Sequence, residues 1–205
     1  MNALPDDVAK GDLSPSGGAT LVLVVGPSGA GKDTLIDAAK AHFAGVDRLW
    51  FPRRLITRPQ GPGEDHTFLS DEAFDKTASA NGFFLHWAAH GVRYGLPSEV
   101  SARLGSGCNV VVNVSRRVIG DAMAKWSDVR VVNVTAAREI LAARLRARGR
   151  ETASEIAERV ARATQVAVPG NADVDDVDNS ADLGQAQDAF VALLAAYLSG
   201  KHKSG

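Results

Sequence analysis

The stretch that decides the fold is Leu21-Val-Leu-Val-Val25, followed by Gly26-Pro-Ser-Gly-Ala-Gly-Lys-Asp-Thr34. The first five residues form an apolar run of strand length, and apolar residues at helical spacing continue to Phe43. The glycines let consecutive backbone N–H groups converge, and the start of the helix adds partial positive charge. This order of strand, glycine-rich loop and helix predicts a phosphate-binding loop.

The loop indicates that the chain binds a nucleoside triphosphate through a P-loop. Lys32 can reach the outer phosphates as a point charge, which makes it a candidate catalytic residue. The alternative is a glycine-rich turn without a ligand, and a lysine in register behind a buried strand argues against it. We expect the phosphates to be surrounded by Gly26, Pro27, Ser28, Gly29, Ala30, Gly31, Lys32, Asp33 and Thr34.

Asp33 stands where P-loops usually carry a serine or threonine whose hydroxyl binds magnesium. A carboxylate is also a hard oxygen ligand for Mg²⁺, and it is favourable near a helix N-terminus. In this interpretation Asp33 is both a metal ligand and a catalytic residue. In the alternative, Asp33 only caps the helix and Thr34 serves the metal. The pattern supports the two about equally.

Composition limits the possible classes of function. The chain has 205 residues, 45% apolar and 23% charged, with a formal net charge of -1, so we expect one α/β domain and no general nucleic-acid binding. The single cysteine, Cys108, excludes an internal disulfide framework and fits a reducing compartment. No signal peptide or membrane-length apolar run is visible, so we expect a cytoplasmic protein without a membrane partner. The oligomeric state stays open.

Short apolar strands alternate with helical segments, which predicts a parallel sheet with helices on both faces. The predicted strands are 20–25, 109–114, 129–134 and 174–178, and the predicted helices are 31–43, 117–126, 136–147 and 183–198. We expect a single kinase domain over 19–199, between a disordered arm (1–18) and a flexible tail (200–205).

Two segments of this domain differ in character from the core. Residues 50–97 carry aromatic residues and turn-forming prolines and glycines, and 83–87 and 91–94 are predicted to form short antiparallel strands. Residues 144–166 are rich in Arg and Glu and poor in large apolar residues, which predicts a mobile lid that packs poorly. We expect the first segment to bind the phosphate acceptor.

Arginines in the predicted lid are candidate catalytic and nucleotide-binding residues. Arg144 and Arg148 are four residues apart and share one helical face, and Arg150 lies beyond the break at Gly149. Each is an ordinary surface charge in the simplest interpretation. A nucleotide and an anionic acceptor together need several cations, however, so we expect Arg144 and Arg148 to be catalytic and Arg150 to contact ATP.

The order of motifs over about 20–180 resembles that of guanylate kinases. The matching stretches are Gly26 to Lys32, Ile56-Thr-Arg58-Pro, Pro62-Gly-Glu64, Phe84-Leu-His-Trp87, Tyr94-Gly95 and Arg144-Leu-Arg-Ala-Arg-Gly149. The resemblance implies a guanylate-kinase-like P-loop fold in the α/β class, with ATP and Mg²⁺ as cofactors. It also implies that Arg58 and Tyr94 hold the phosphate of the acceptor.

Three positions depart from guanylate kinases where those enzymes bind the acceptor. Gly61 replaces a phosphate-binding arginine, His86 replaces a base-contacting glutamate, and Asn113-Val-Ser115 replaces Asp-x-Asp. Unmatched buried donors and acceptors cost about 1–3 kcal/mol each, which weakens the alternative of a guanylate-type nucleoside monophosphate kinase. A second alternative, a non-catalytic binding module, is weakened because the P-loop glycines and lysine are all present.

The departures match a sister family better, the ribose 1,5-bisphosphate phosphokinases. The stretches similar to that family are Gly31-Lys-Asp33, Ile56-Thr-Arg58, His66, Trp87-Ala-Ala-His90-Gly-x-x-Tyr94-Gly, Val112-Asn-Val-Ser-Arg116 and Arg148-Gly-Arg-Glu-x-Ala-Ser-Glu-Ile156. Members transfer the γ-phosphoryl group of ATP to the 1-phosphate of ribose 1,5-bisphosphate in bacterial phosphonate metabolism, giving 5-phospho-α-D-ribose 1-diphosphate. The resemblance implies this small molecule as the substrate.

The residues at the end of the predicted strand 109–114 favour the binding of an anion. An amide, a hydroxyl and two arginines replace acidic groups there, and guanidinium groups bind phosphate well. We expect at least one of Arg116 and Arg117 to bind the distal 5-phosphate, with His86 as a partner. The alternative is that the two arginines only begin an exposed helix, in which case we expect the 5-phosphate at Arg53, Arg54 or Arg93. The full set of expected acceptor-binding residues is Arg58, Tyr94, His86, Asn113, Ser115, Arg116 and Arg117.

Overall fold

The structure is a computed structural model that describes residues 18–61, 64–89, 91–149, 152–162 and 168–199. The predicted arm lies outside these residues except for Gly18, and so does the predicted tail. Within the described ranges, no helix has the length and apolar composition that crossing a membrane requires.

The described chain forms two sheets with helices between many of their strands. The strands are β1 (Leu21–Val25), β2 (Leu49–Trp50), β3 (Arg54–Ile56), β4 (His66–Phe68), β5 (Phe83–Ala89), β6 (Val92–Pro97), β7 (Asn109–Asn113), β8 (Val129–Thr135) and β9 (Asp173–Asp178). The helices are α1 (Lys32–His42), α2 (Asp71–Ser79), α3 (Glu99–Gly105), α4 (Ile119–Lys125), α5 (Arg138–Arg148), α6 (Ala153–Arg162) and α7 (Leu183–Leu198). A short 3-10 helix, Arg116–Val118, precedes α4.

The central sheet is parallel, as the alternation of strands and helices predicts. Its order is β2-β7-β1-β8-β9, and Leu23 of β1 pairs with Val112 on one side and Val131 on the other. The four predicted core strands and four predicted core helices are confirmed to within two residues at each end. The two-residue strand β2 is too short to show a period in the sequence.

Helices cover both faces of this sheet, which explains why β1 is apolar at every position. Val22 and Val24 pack toward α1 and α7, where Leu35 and Phe190 are completely buried. Leu21 and Leu23 face the opposite side, together with buried residues of α3 and α4. The carboxyl ends of the strands therefore open at one edge of a rigid layer, where parallel α/β sheets bind their ligands.

A second sheet occupies residues 54–97 and faces that edge. Its order is β4-β3-β6-β5, with β3 antiparallel to β6 and parallel to β4. The predicted antiparallel strands are present as the hairpin of β5 and β6. The sequence did not predict β3, β4 or α2. The strands β3 and β4 have three residues each, which is too short to show an alternation of apolar and polar residues.

The segment 144–166 corrects one expectation. Its first residues belong to α5 and much of the remainder forms α6. Leu145 and Ile156 are 2% and 3% exposed, so this segment contributes to the buried core instead of packing poorly. Residues 150, 151 and 163–166 of the predicted lid lie outside the described chain.

Candidate active site

A cleft of about 740 Å³ lies between the P-loop and the second sheet. Each predicted loop residue from Gly26 to Thr34 lines it except Ala30, whose methyl group is buried. The acceptor side of the cleft is lined by Arg54, Arg58, Trp87, Tyr94, Asn113, Ser115, Arg116 and Arg117. The structure thus brings together residues that lie up to 133 positions apart, since Gly26 and Arg159 both line the cleft.

Two P-loop glycines hold backbone conformations that side chains would prevent. Gly26 has φ +144°, and a Cβ atom there would overlap the carbonyl oxygen of Val134. Gly31 has φ +91°, and a Cβ atom there would overlap the side-chain amide of Asn179. The same amide donates a hydrogen bond of 2.7 Å to the carbonyl of Ala30. Asn179, which is 1% exposed, therefore anchors the loop from the end of β9.

Lys32 lies at the start of α1 with its ammonium group directed at the loop. Its Nζ donates hydrogen bonds of 2.8 Å and 2.9 Å to the carbonyls of Gly26 and Pro27. These bonds hold the charge where the backbone N–H groups of the loop converge. A cation in this position suits the outer phosphates of a nucleotide.

Asp33 faces the cleft and does not cap the helix. The N-cap of α1 is Gly31, and no side chain accepts a capping hydrogen bond there. The Asp33 carboxylate is 66% exposed, accepts a hydrogen bond of 2.8 Å from Nδ2 of Asn113, and lies 3.7 Å from a guanidinium nitrogen of Arg54. Of the two interpretations of Asp33, this geometry favours the one in which its carboxylate is available to a metal.

No metal site is made by protein ligands alone within the described residues: no three His, Cys, Asp or Glu side chains converge. The carboxylate of Asp33, beside a loop shaped for phosphates, fits a Mg²⁺ ion that takes its other ligands from phosphates and water. Thr34 also lines the cleft and is exposed, so its hydroxyl would be a second oxygen ligand available to such an ion.

Arg58 and Tyr94 both line the acceptor side of the cleft, Tyr94 on β6 and Arg58 in the bend that follows β3. A guanidinium nitrogen of Arg58 lies 2.9 Å from the Glu64 carboxylate. The Tyr94 ring stacks on Trp87, with centroids 5.4 Å apart and planes 7° apart. Trp87 was not among the predicted site residues, and its position on the strand beside the hairpin turn is the signal that could have found it.

His86 requires a correction. It is exposed on β5, but it does not line the cleft, and its ring packs near Phe74 and Phe83 at 6.1 Å and 5.7 Å. Successive side chains of a strand point to opposite faces, so Trp87, and not His86, faces the acceptor. The expectation that His86 contacts the substrate is not supported by this geometry.

Arg116 and Arg117 both line the cleft but differ in environment. Arg116 is partly buried and donates a hydrogen bond of 2.8 Å to the side-chain oxygen of Asn133, whose amide donates in turn to Asp176 at 2.6 Å. Burial lowers the pKa of the Arg116 guanidinium, and the charge of Asp176 opposes that shift. Arg117 is exposed, and its backbone N–H donates to the hydroxyl of Ser115.

Two arginines of the predicted lid contact the P-loop. A guanidinium nitrogen of Arg144 donates to the carbonyl of Gly29 at 3.4 Å, and Arg159 donates to the hydroxyl of Ser28 at 2.7 Å. Arg159 was not among the predicted site residues, because nothing in the sequence distinguishes it from its charged neighbours. Arg148 is the last residue of α5 but its side chain lies outside the described part, as does Arg150.

The sequence model described as guanylate kinase matches residues 18–180. The chain belongs to the guanylate kinase family. A solved guanylate kinase from Anaplasma phagocytophilum superposes with a TM-score of 0.62 at 19% identity, covering 91% of this chain and 89% of its own. At that identity the likeness shows the shared fold.

Curated relatives within the family are more similar in sequence. A protein of Rhizobium etli (strain CIAT 652) named ribose 1,5-bisphosphate phosphokinase PhnN is 44% identical over 183 residues, which is 89% of this chain and 92% of the relative. A protein of Brucella melitensis with the same name is 47% identical over 171 residues, 83% of this chain and 88% of the relative. Each match covers more than four fifths of both chains.

Proposed function

We propose that this member of the guanylate kinase family is a ribose 1,5-bisphosphate phosphokinase. It transfers the γ-phosphoryl group of ATP to the 1-phosphate of ribose 1,5-bisphosphate and forms 5-phospho-α-D-ribose 1-diphosphate in phosphonate metabolism. The observation that carries the proposal is the identity of 44% and 47% to relatives of that name over most of both chains. We place the reaction in the cytoplasm, where ATP is supplied.

The charge of the cleft supports an acceptor with two phosphates. Seven Lys or Arg side chains and four Asp or Glu side chains line it, which leaves an excess of three cations. The cations are Lys32, Lys40, Arg54, Arg58, Arg116, Arg117 and Arg159. Nucleotide and acceptor phosphates repel one another, so bringing them together requires such an excess.

The end of β7 supports a sugar phosphate over a nucleoside monophosphate. Asn113 is 9% exposed, and its amide is already engaged with Asp33. Recognition of a purine by carboxylates would require an acid at Asn113 or Ser115, and neither residue supplies one. Arg116 and Arg117 follow at once and offer donors to a phosphate.

ATP and Mg²⁺ are assigned to the P-loop side of the cleft. Gly26, Gly29 and Gly31 keep the loop free of side chains, and Lys32 supplies its charge. Asp33 or Thr34 would hold Mg²⁺, which when bound neutralises the charge on the phosphate oxygens. The lid arginines Arg144, Arg148 and Arg150, with Arg159, would complete the cationic enclosure of the transferred group.

No general base is needed for this transfer, since the attacking oxygen belongs to a phosphate that is already ionised at neutral pH. The protein acts by positioning and charge neutralisation. Arg58 and Tyr94 are assigned to the acceptor phosphate and Arg116 and Arg117 to the distal 5-phosphate. Trp87 stacked on Tyr94 forms an aromatic wall beside them.

The test is a coupled assay with purified protein, Mg²⁺ and ATP, in which ribose 1,5-bisphosphate, GMP and dGMP are offered separately. We expect turnover with the bisphosphate and little with either nucleotide. Lys32→Ala should lose about 10²–10³ in rate, whereas Lys76→Ala on the exposed face of α2 should match the wild type. Turnover with GMP but not with the bisphosphate would contradict the proposal.

A further inference from the structure

Arg54 is an arginine of the cleft wall whose hydrogen-bonding capacity is not used by the described protein. Its side chain is 20% exposed and lines the cleft. The guanidinium makes no hydrogen bond with the described residues, and its charged neighbour, Asp33, lies 3.7 Å away. A guanidinium has five N–H donors, and partial burial without hydrogen bonds is unfavourable. These donors are therefore available to an anion in the cleft.

The position of Arg54 puts this charge where the two halves of the cleft meet. Asp33 directly follows Lys32, so a group near Asp33 is also near the P-loop. Arg54, Ile56 and Arg58 all line the cleft, as alternate residues of an extended segment should. Arg54 lies at the P-loop end of this row, and Arg58 lies at the end near Glu64.

Two other arginines of the second sheet do not compete for this role. Arg53 is 55% exposed, lies 2.6 Å from Asp65, and does not line the cleft. Arg93 pairs with Asp71 at 2.8 Å and with Asp75 at 2.5 Å, and its guanidinium stacks over the ring of Phe74. Both carry their counter-charges already.

We propose that Arg54 binds the acceptor phosphate that receives the phosphoryl group, and that Asp33 is its internal counter-ion until Asp33 is taken by the metal of the nucleotide. The inference rests on the proposed function and names a substrate-binding residue for it. A metal bound beside Asp33 would offset the charge of its carboxylate, so Arg54 would be less compensated by Asp33 and would hold a phosphate more strongly. Binding of the metal–nucleotide complex and binding of the acceptor therefore favour each other, and the coupling is reciprocal.

The two residues should respond to substitution in opposite directions. Arg54→Ala should weaken binding of ribose 1,5-bisphosphate by about 10- to 100-fold, as expected for a lost charge-assisted contact. Arg54→Lys keeps the charge but loses the planar fork, so its loss should be intermediate. Asp33→Asn removes the competing charge at nearly constant shape, and should tighten acceptor binding to the nucleotide-free enzyme by about threefold to tenfold.

Calorimetric titration of ribose 1,5-bisphosphate into the full-length protein measures these effects without turnover. Each protein is titrated alone and again with Mg²⁺ and a non-hydrolysable ATP analogue. In the wild type the analogue should tighten acceptor binding, and in Asp33→Asn and Arg54→Ala that gain should disappear. Arg53→Ala is the matched control, since it removes a neighbouring arginine outside the cleft and should behave as the wild type.

Folding of each variant is checked by thermal unfolding and by binding of the analogue in the absence of acceptor. If the wild type is active and Arg54→Ala binds the acceptor as tightly as the wild type, Arg54 does not bind the acceptor phosphate. The proposed function then still stands. If Arg54→Ala weakens acceptor binding as expected but Asp33→Asn also weakens it, then Asp33 does not compete with the acceptor for Arg54. A wild type that neither binds nor phosphorylates the bisphosphate overturns the proposed function, and this inference with it.

Discussion

The amide of Asn113 donates a hydrogen bond of 2.8 Å to the carboxylate of Asp33 and so joins the end of β7 to the start of α1. Asn113 is nearly buried, whereas Asp33 is 66% exposed. The bond fixes the orientation of the carboxylate while leaving its outer face to the cleft. An amide is suited to this role because it donates without adding charge beside the P-loop.

Replacing Asn113 by aspartate should make stability depend on pH. Two carboxylates would then face each other, and repulsion would raise the pKa of one above its unfolded value of about 3.9. A raised pKa in the folded state means that the penalty is absent at low pH and grows as the pH rises above the unfolded pKa. We expect a Tm about 2–4 °C below that of the wild type at pH 8, and a smaller gap at pH 4.

Thermal unfolding of Asn113→Asp, Asn113→Ala and wild type across this pH range tests the prediction. Asn113→Ala loses the same hydrogen bond without adding charge, so its gap to the wild type should change with pH much less than that of Asn113→Asp. A parallel response of the two variants would mean that the carboxylates do not interact.

Gly31→Ala should damage the P-loop. The substitution requires φ near +91° and brings a Cβ atom into the side-chain amide of Asn179, so we expect a loss of about 1–3 kcal/mol in the free energy of unfolding and weaker ATP binding. Gly105→Ala is the control, since that helical glycine has nothing within 4 Å of a built Cβ atom and alanine favours the helix. Denaturant unfolding and ATP titration of both variants distinguish the site-specific effect from a general one.

The core and the P-loop could be predicted from the sequence because both depend on local signals. β1 is apolar throughout, and the glycines that follow lead directly to a lysine in the register of a P-loop. The acceptor side depends on pairing that the sequence does not show. The register of β5 shifts between Phe83 and Leu85, and such a shift changes which residues share a face. Trp87 and His86 point to opposite faces of β5, and the sequence alone does not show that the face with Trp87 meets the cleft.

The role of Arg54 could not be found from sequence for a related reason. Three arginines, Arg53, Arg54 and Arg58, occur within six residues, and composition does not distinguish the two that line the cleft from the one that does not. Burial and ion pairing separate them: Arg53 is 55% exposed and paired with Asp65, whereas Arg54 is 20% exposed. The difference lies in tertiary packing and pairing, which the composition of this segment does not show.

Arg148→Ala should lower kcat by about 10²-fold and raise the KM for ATP much less, because a lid arginine stabilises the transferred group when the lid closes. The prediction rests on the position of Arg148, four residues after Arg144, whose guanidinium donates a hydrogen bond to the carbonyl of Gly29 in the P-loop. Arg146→Ala is the matched control, since Arg146 is exposed on the same helix. Steady-state kinetics with ATP as the varied substrate tests it, and a pure KM effect would make Arg148 a ground-state binding residue.

The last prediction concerns the 5-phosphate of the acceptor. Arg117 is exposed and lines the cleft, so Arg117→Ala should leave the Tm unchanged and lower kcat/KM for ribose 1,5-bisphosphate by about 10- to 100-fold. Arg116 also holds Asn133 through a hydrogen bond, so Arg116→Ala should lower the Tm in addition to its effect on kcat/KM.

An acceptor with a 1-phosphate but no 5-phosphate separates recognition from general damage. If the arginines bind the 5-phosphate, each substitution should reduce turnover of the bisphosphate much more than turnover of this truncated acceptor. Equal losses on both acceptors would indicate that Arg116 and Arg117 act on the structure of the site and do not contact the 5-phosphate. Unchanged preference in both variants would favour the alternative in which the two arginines only begin the helical segment after β7.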